Sequence, residues 1–279
     1  MVLEKFNKIN NQILPTGKVL TPLGFAIATI YILFITLPII ALAIRALGGA
    51  DFIQHITGPT AVQALRISLL TSGISMLIIV GLGSPFALLL AKNNSRFLKT
   101  IDLIVELPII LPPVVAGVAM LMAFGRTGLL GNPLNNIGIT LPFTTTAVIM
   151  AQIFVSAPFY IRAAKIGFAS VPKELEEISE TLGVSPWSTF WRITIPLAWP
   201  AMAGGAALAW ARAMSEFGAT IMFAGNMIGQ TQTLPLAILS SLESNLETTL
   251  AISLLLVGVS ISILILLSTL VDTTKRNNS

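Results

Sequence analysis

Six stretches of the chain, at 23–47, 62–91, 101–124, 143–167, 193–223 and 248–271, each stay apolar over about the 20 residues that a helix needs to cross a hydrocarbon core. Within lipid the backbone N–H and C=O groups of such a stretch find no water, so each stretch must satisfy them internally as a helix. The expected fold is an all-α membrane protein, a polytopic bundle of about six transmembrane helices. Only 10% of the residues are charged, against about 25% in soluble domains, and no soluble domain fits between the stretches. The organisation expected is a tail at 1–22, one membrane domain at 23–271 and a second tail at 272–279. The first stretch is too long for a signal-peptide core and lacks a small-residue cleavage site, so it is expected to remain as a span. Pro38, Pro85, Pro112, Pro113, Pro158 and Pro200 fall inside the stretches and predict kinks.

Orientation follows from the basic residues. With the amino terminus inside, the inside segments hold Lys5, Lys8, Lys18, Lys92, Arg96, Lys99, Arg162, Lys165, Lys173, Arg192, Lys275 and Arg276. Of the 16 basic residues, only Arg45, Arg66 and Arg126 then lie outside, and Arg212 lies within the fifth stretch. The positive-inside rule places both termini, and the loop between the fourth and fifth spans, in the cytoplasm.

Several chemistries are excluded. The chain has no cysteine, so thiolate metal sites and cysteine catalysis are absent. Its one histidine, His55, stands beside Asp51 in a short connection and reads as a solvated surface residue, far from a metal set. The formal charge of +4 is scattered, without the clustered Lys/Arg and aromatics of a nucleic-acid surface. No catalytic pair is visible, and no phosphate-binding Gly-x-x-x-x-Gly-Lys-Ser/Thr loop, so ATP and Mg are not expected on this chain.

The loop 171–192 is the longest polar segment on the inside, and loops of this length usually carry structure. Pro172 suits a first helical position, Glu174, Glu176 and Glu177 suit the positive helix start, and Gly183 suits its end. Leu175, Ile178 and Leu182 then share one face. A second helix restarts with Ser185 as cap and Pro186 at its first position, presenting Trp187, Phe190 and Trp191. On pattern alone, helices that merely close the bundle fit equally well.

Spacing adds a resemblance. From Glu177 the chain runs Ile178, Ser179, three residues, Gly183, nine residues, Ile193, Thr194, Ile195, Pro196. This resembles the loop signature of permease subunits of binding-protein-dependent ABC importers: Glu-Ala-Ala, three residues, Gly, nine residues, Ile, one residue, Leu-Pro. Glu177, Gly183, Ile193 and Pro196 carry over, while Ile178 and Ser179 replace the alanines and Ile195 the leucine, so larger side chains must fit the same groove. The resemblance implies the type I ABC importer permease (MetI-like) fold with a cytoplasmic coupling helix docked on an ATP-hydrolysing subunit. Such a helix suits a groove, and a side-chain-free Gly183 would let backbones approach closely. Residues Glu106 to Gly117, Ala211 to Asn226 and Met227 to Leu236 are similar to the molybdate and tungstate permeases, with sulfate and thiosulfate permeases as relatives. The implied assembly holds two ABC ATPase subunits carrying ATP and Mg, a periplasmic or extracellular oxyanion-binding protein and a second permease copy, in the lipid bilayer of a prokaryotic inner membrane.

A dianion needs a polar path that binds it weakly and opens to each side in turn. Ser215, Thr220, Asn226, Gln230, Thr231 and Thr233 offer hydroxyl and amide donors for it, and equally suit an ordinary polar loop. Arg212 and Glu216 lie one turn apart and can pair, as a structural ion pair or as an anion-steering gate. Small residues at Ala203-Gly204-Gly205-Ala206-Ala207 predict a close helix contact. Glu106 suits a snorkelling or helix-start carboxylate, and Gln152 an interhelical hydrogen bond. A secondary transporter or channel would instead need paired midplane acids or inverted repeats, and neither is visible.

Overall fold

A computed structural model describes residues 16–49 and 51–277. Lys5 and Lys8, and most of the expected tail at 1–22, lie outside these residues. The described part of the first unit holds α1 (Thr16–Leu47), of which Gly24–Leu47 is long and apolar enough to cross a membrane.

The second unit begins at Asp51, and its described residues form helices joined by connections, with no strand among them. Its elements are α2 (Phe52–Thr57), α3 (Pro59–Lys92), α4 (Arg96–Ile110), α5 (Pro113–Phe124), α6 (Gly131–Asn136), α7 (Thr145–Ala169) and α8 (Lys173–Thr181). They continue with α9 (Pro186–Thr189), a π-helical turn (Phe190–Thr194), α10 (Ile195–Met214), α11 (Gly218–Phe223), α12 (Leu234–Leu242) and α13 (Leu246–Asn277). Five helical runs among the described residues are long and apolar enough to span: α1, α3, α7, Pro186–Met214 and α13, and the bent pair α4/α5 makes a sixth if it is one broken span.

Helix α7 lies at the centre, against α3 on one side and α10 on the other. Met76, Ile79, Ala87, Tyr160, Ala164, Ala198 and Met202 bury this seam. Small residues set its closeness. A methyl group at Gly205 would overlap that of Ala163, as expected of the small-residue stretch, whereas Gly204 faces open space. A second core joins α5, α7 and α11 through Ala116, Met120, Ala151, Val155, Ala219 and Phe223. There a Cβ at Gly117 would stand 2.6 Å from Met222 Cβ and 2.8 Å from the Ala219 carbonyl oxygen, so α5 and α11 are in backbone contact. A third core packs α3 and α10 against α12 and α13.

Two expected spans are not single helices. The stretch at 101–124 divides into α4 and α5, which meet at 119°. Leu111 is extended (φ −68°, ψ 132°), because a residue before proline is driven out of the helical region, and Pro112 and Pro113 have no N–H to carry the ladder onward. The stretch at 193–223 breaks at Ser215–Phe217 for a different reason. Glu216 Oε1 accepts a hydrogen bond at 2.8 Å from the Ala219 N–H, so a side chain takes the role of the preceding turn and restarts the helix as α11. His55 also departs from expectation. It sits half-buried in α2, where Nδ1 lies 2.9 Å from Thr248 Oγ1 and Nε2 3.5 Å from Glu247 Oε2, tying α2 to the start of α13.

Candidate functional site

The site is built on the connection between α7 and α10. Pro172 caps α8 from just outside, one position earlier than expected, and Glu174 and Glu176 occupy the first turn, where the helix dipole favours them. The helix ends in a Schellman motif: the Val184 N–H donates to the Ser179 carbonyl (3.1 Å) and the Gly183 N–H to that of Glu180 (2.9 Å). This requires φ of +75° at Gly183. A Cβ there would meet nothing within 4 Å in this chain, so the demand made within the chain is for the left-handed backbone.

Ser185 Oγ then accepts from the Ser188 N–H (3.3 Å), and Pro186 opens α9. The π turn follows, in which the Ile195 N–H donates to Phe190, five residues back. Pro196, next in line, has no N–H with which to restore the four-residue pattern.

Outward from this frame stands an apolar ridge. Leu182 and Trp187 are 76% and 71% exposed, and Leu175, Ile178 and Trp191 are also exposed. Trp187 and Trp191 meet edge to face at 5.7 Å. Glu174, Glu177 and Glu180 of the same segment are exposed, and Ile193 and Pro196 are half-buried. An exposed apolar ridge rimmed by acids is the kind of surface that meets another protein or a membrane.

The inward side is held by polar bonds that sequence reasoning missed. Glu176 takes both 2.8 Å bonds from Lys92 Nζ at the end of α3, and its Oε1 also accepts from Thr194 Oγ1 at 2.7 Å. Ser179, one of the two residues standing where the family has alanine, is buried and bonds Thr189 at 2.7 Å. Partial burial pushes the Glu176 carboxyl up, but the bonds from Lys92 and Thr194 and the charges of Lys92 and Lys173 outweigh it and hold its pKa below the ordinary 4.5. A depressed carboxylate pKa contributes stability above the ordinary value, and that contribution is lost as pH falls through the depressed one. Hydrogen exchange of the α8 amides, measured relative to α7, is therefore expected to speed up only below about pH 4.5, and to lose this step in Glu176→Gln. Nearby, Lys165 pairs with Asp102, and Arg162 Nε approaches Glu106 Oε1 at 3.9 Å, joining α7 to α4.

The second group of residues is divided among the break after α10, α11 and the connection from α11 to α12. Glu216 is fully buried, and Arg212 Nη1 lies 2.7 Å from its Oε2, an ionic contact without hydrogen-bond alignment. Ser215 is exposed and bonds back to the Arg212 carbonyl (3.2 Å). Gln230 is exposed, while its carbonyl accepts from Thr145 Oγ1 (3.0 Å). Thr231 Oγ1 accepts from the Met227 N–H (2.9 Å), and Asn226 Nδ2 donates to Ser240 Oγ (2.8 Å), so both serve the loop. Thr220 Oγ1, Thr233 Oγ1 and Asn226 Oδ1 are buried without a hydrogen-bond partner among the described residues.

A polar seam on α3 was not anticipated. Ser68, Thr71, Ser72 and Ser75 are fully buried on one face. Ser68 Oγ accepts from the Leu234 N–H (2.8 Å), Ser72 Oγ from Trp210 Nε1 (3.0 Å), and Ser75 Oγ donates to Gln152 Oε1 (3.0 Å). Their spacing of i, i+3, i+4 and i+7 is the signal that would have found them.

Helices long and apolar enough to cross a membrane, joined by a short helical connection with an exposed apolar ridge, define a polytopic membrane protein. The family model described as "Binding-protein-dependent transport system inner membrane component" matches residues 83–276, and the chain belongs to that family, the permeases of ABC importers. It is 40% identical over 250 residues to a probable transport system permease protein of Clostridium pasteurianum (89% of this chain, 87% of that one). It is 41% identical to the molybdenum transport system permease protein ModB of Mycobacterium tuberculosis (82% and 86%) and 36% identical to a probable sulfate transport system permease of Chlorokybus atmophyticus (76% and 76%). Among solved structures, a bacterial alginate ABC transporter bound to its periplasmic protein matches with a TM-score of 0.72 at 18% identity (89% of this chain, 92% of that one). The inward-facing MetNI methionine transporter matches with a TM-score of 0.61 at 18% identity (77% and 96%).

Proposed function

We propose that this chain carries molybdate inward by alternating access, driven by a separate ATPase subunit that grips α8. The observation that carries the reading is the exposed ridge of Leu175, Ile178 and Leu182 beside Gly183, with acids around it and hydrogen bonds into the bundle beneath it. Two ATPase subunits holding ATP and Mg, a periplasmic or extracellular oxyanion-binding protein and a second copy of the permease complete the assembly. Both termini and α8 face the cytoplasm, in keeping with the distribution of Lys and Arg. The molybdenum permeases among its relatives support the choice of anion.

A tetrahedral dianion cannot enter hydrocarbon, and a site that held it tightly midway would trap it. Two unpartnered buried hydroxyls, on Thr220 and Thr233, suit such a path: they can replace part of the hydration shell without a full countercharge. Arg212 supplies long-range attraction, moderated by Glu216.

The test is uptake into proteoliposomes holding the permease, its ATPase and a binding protein, with molybdate, tungstate, sulfate and thiosulfate offered in turn. ATP-dependent uptake with molybdate preferred is expected. Preference for sulfate or tungstate would reassign the substrate, and uptake by the chain alone without ATP would refute the importer mechanism.

A further inference from the structure

We propose that Glu176 is the pin through which α8 moves the membrane helices, a positioning residue for transport rather than a contact to the ATPase. The inference rests on the importer reading above and deepens it. The motif residue next to it, Glu177, is exposed, and successive helical residues point about 100° apart, so the two carboxylates face different ways. Glu176 points inward and touches two separate elements: Lys92 is the last residue of α3, and Thr194, itself buried, ends the π turn that leads into α10. A three-residue connection, Ser170 to Pro172, precedes α8 and the Gly183 turn follows it, so without side-chain bonds the helix could swing on its ends. The carboxylate removes that freedom, with two bonds from an ammonium and a third from a hydroxyl. The Ser179–Thr189 bond holds the helix further along the same side.

The two elements it joins lead to the polar groups inside the bundle. Helix α3 carries the buried seam from Ser68 to Ser75, and α10 ends at the break where Arg212 meets Glu216. A displacement of α8 is therefore delivered to both at once.

The experiment uses the complete complex in proteoliposomes and reads anion taken up per ATP hydrolysed. Glu176→Gln is expected to assemble and hydrolyse ATP while that ratio falls about fivefold. Reversing the pair, with Lys92→Glu and Glu176→Lys together, is expected to recover most of it, whereas Lys92→Glu alone, which sets two carboxylates face to face, is not. Glu177→Gln should instead weaken ATPase association. Should Glu176→Gln fail to assemble, Lys92→Met and Thr194→Val leave the carboxylate in place and are expected to lower the same ratio. A wild-type ratio in these variants, or a reversed pair as defective as Glu176→Gln, overturns the pin. Failure of the wild-type chain to bind or stimulate an ATPase would show in the control and would refute the importer reading instead.

Discussion

Replacing Gly183 by valine is expected to lower ATP-driven uptake at least about tenfold while the spans still insert. The native φ of +75° costs an ordinary residue about 1–2 kcal/mol, and a β-branched side chain more, and 1.4 kcal/mol is already a factor of ten. Helix α8 has nine residues, too few to persist alone, and the Schellman bonds at its end are part of what keeps it formed. Because a Cβ at 183 meets nothing in this chain, backbone conformation alone separates the variants. Asparagine visits the left-handed region readily, so Gly183→Asn is expected to retain most of the uptake. The measurement pairs uptake with copurification of the ATPase. If asparagine is as damaging as valine, the space above Gly183 belongs to the partner, and close approach, not φ, is what the glycine provides. If valine transports normally, α8 is not the handle.

Both ends of α8 and the start of α9 were legible in the sequence because they are fixed locally: a proline and acids at one helix start, Gly183 at its end, then Ser185-Pro186 at the next. The Arg212–Glu216 pair was legible for the same reason, being one turn apart. Of the two breaks, the first was legible as a kink and the second was not. Pro112 and Pro113 advertise a disruption, but the 119° angle depends on how closely α5 packs against α11, where Gly117 meets Ala219 and Met222. The break after Met214 is invisible to hydropathy, because it arises when one carboxylate oxygen outcompetes the helix ladder for the Ala219 N–H. The division of labour between Glu176 and Glu177 lies furthest from the sequence. Local pattern treats them alike, and it takes Lys92, 84 residues earlier, and Thr194, 18 later, to show which faces inward.

The polar seam on α3 teaches the same point about hydropathy. Serines at 68, 72 and 75 fall in a stretch apolar enough to read as a plain span, and their period emerges only when the face is drawn. Each bonds a different neighbour, on α12, α10 and α7 respectively, so α3 is registered against the other helices by directional contacts. Lipid-like packing alone would leave those helices free to slide. That registration is what gives a push at Lys92 a defined destination.

Truncating Glu216 to alanine is expected to destabilise the bundle by about 3 kcal/mol, at the lower end of the cost of breaking a buried ion pair, because Arg212 retains some solvent access. The carboxylate is 0% exposed and its partner 26%. Alanine strands the guanidinium and also removes the acceptor of the Ala219 N–H, so the restart of α11 loses its cap. Glu216→Gln keeps a neutral acceptor and should cost less, about 2 kcal/mol, since the guanidinium still lacks its counter-charge. Thermal unfolding of the purified permease checks this order. The double variant Arg212→Met with Glu216→Gln removes both charges, and buried pairs replaced together by apolar or neutral groups of similar size are often tolerated. It is expected to regain stability but not uptake, because the basic group that attracts the dianion toward the break is gone. Recovery of uptake together with stability would make Arg212 and Glu216 a structural pair, and would leave the neutral hydroxyls of Thr220 and Thr233 to guide the anion by themselves.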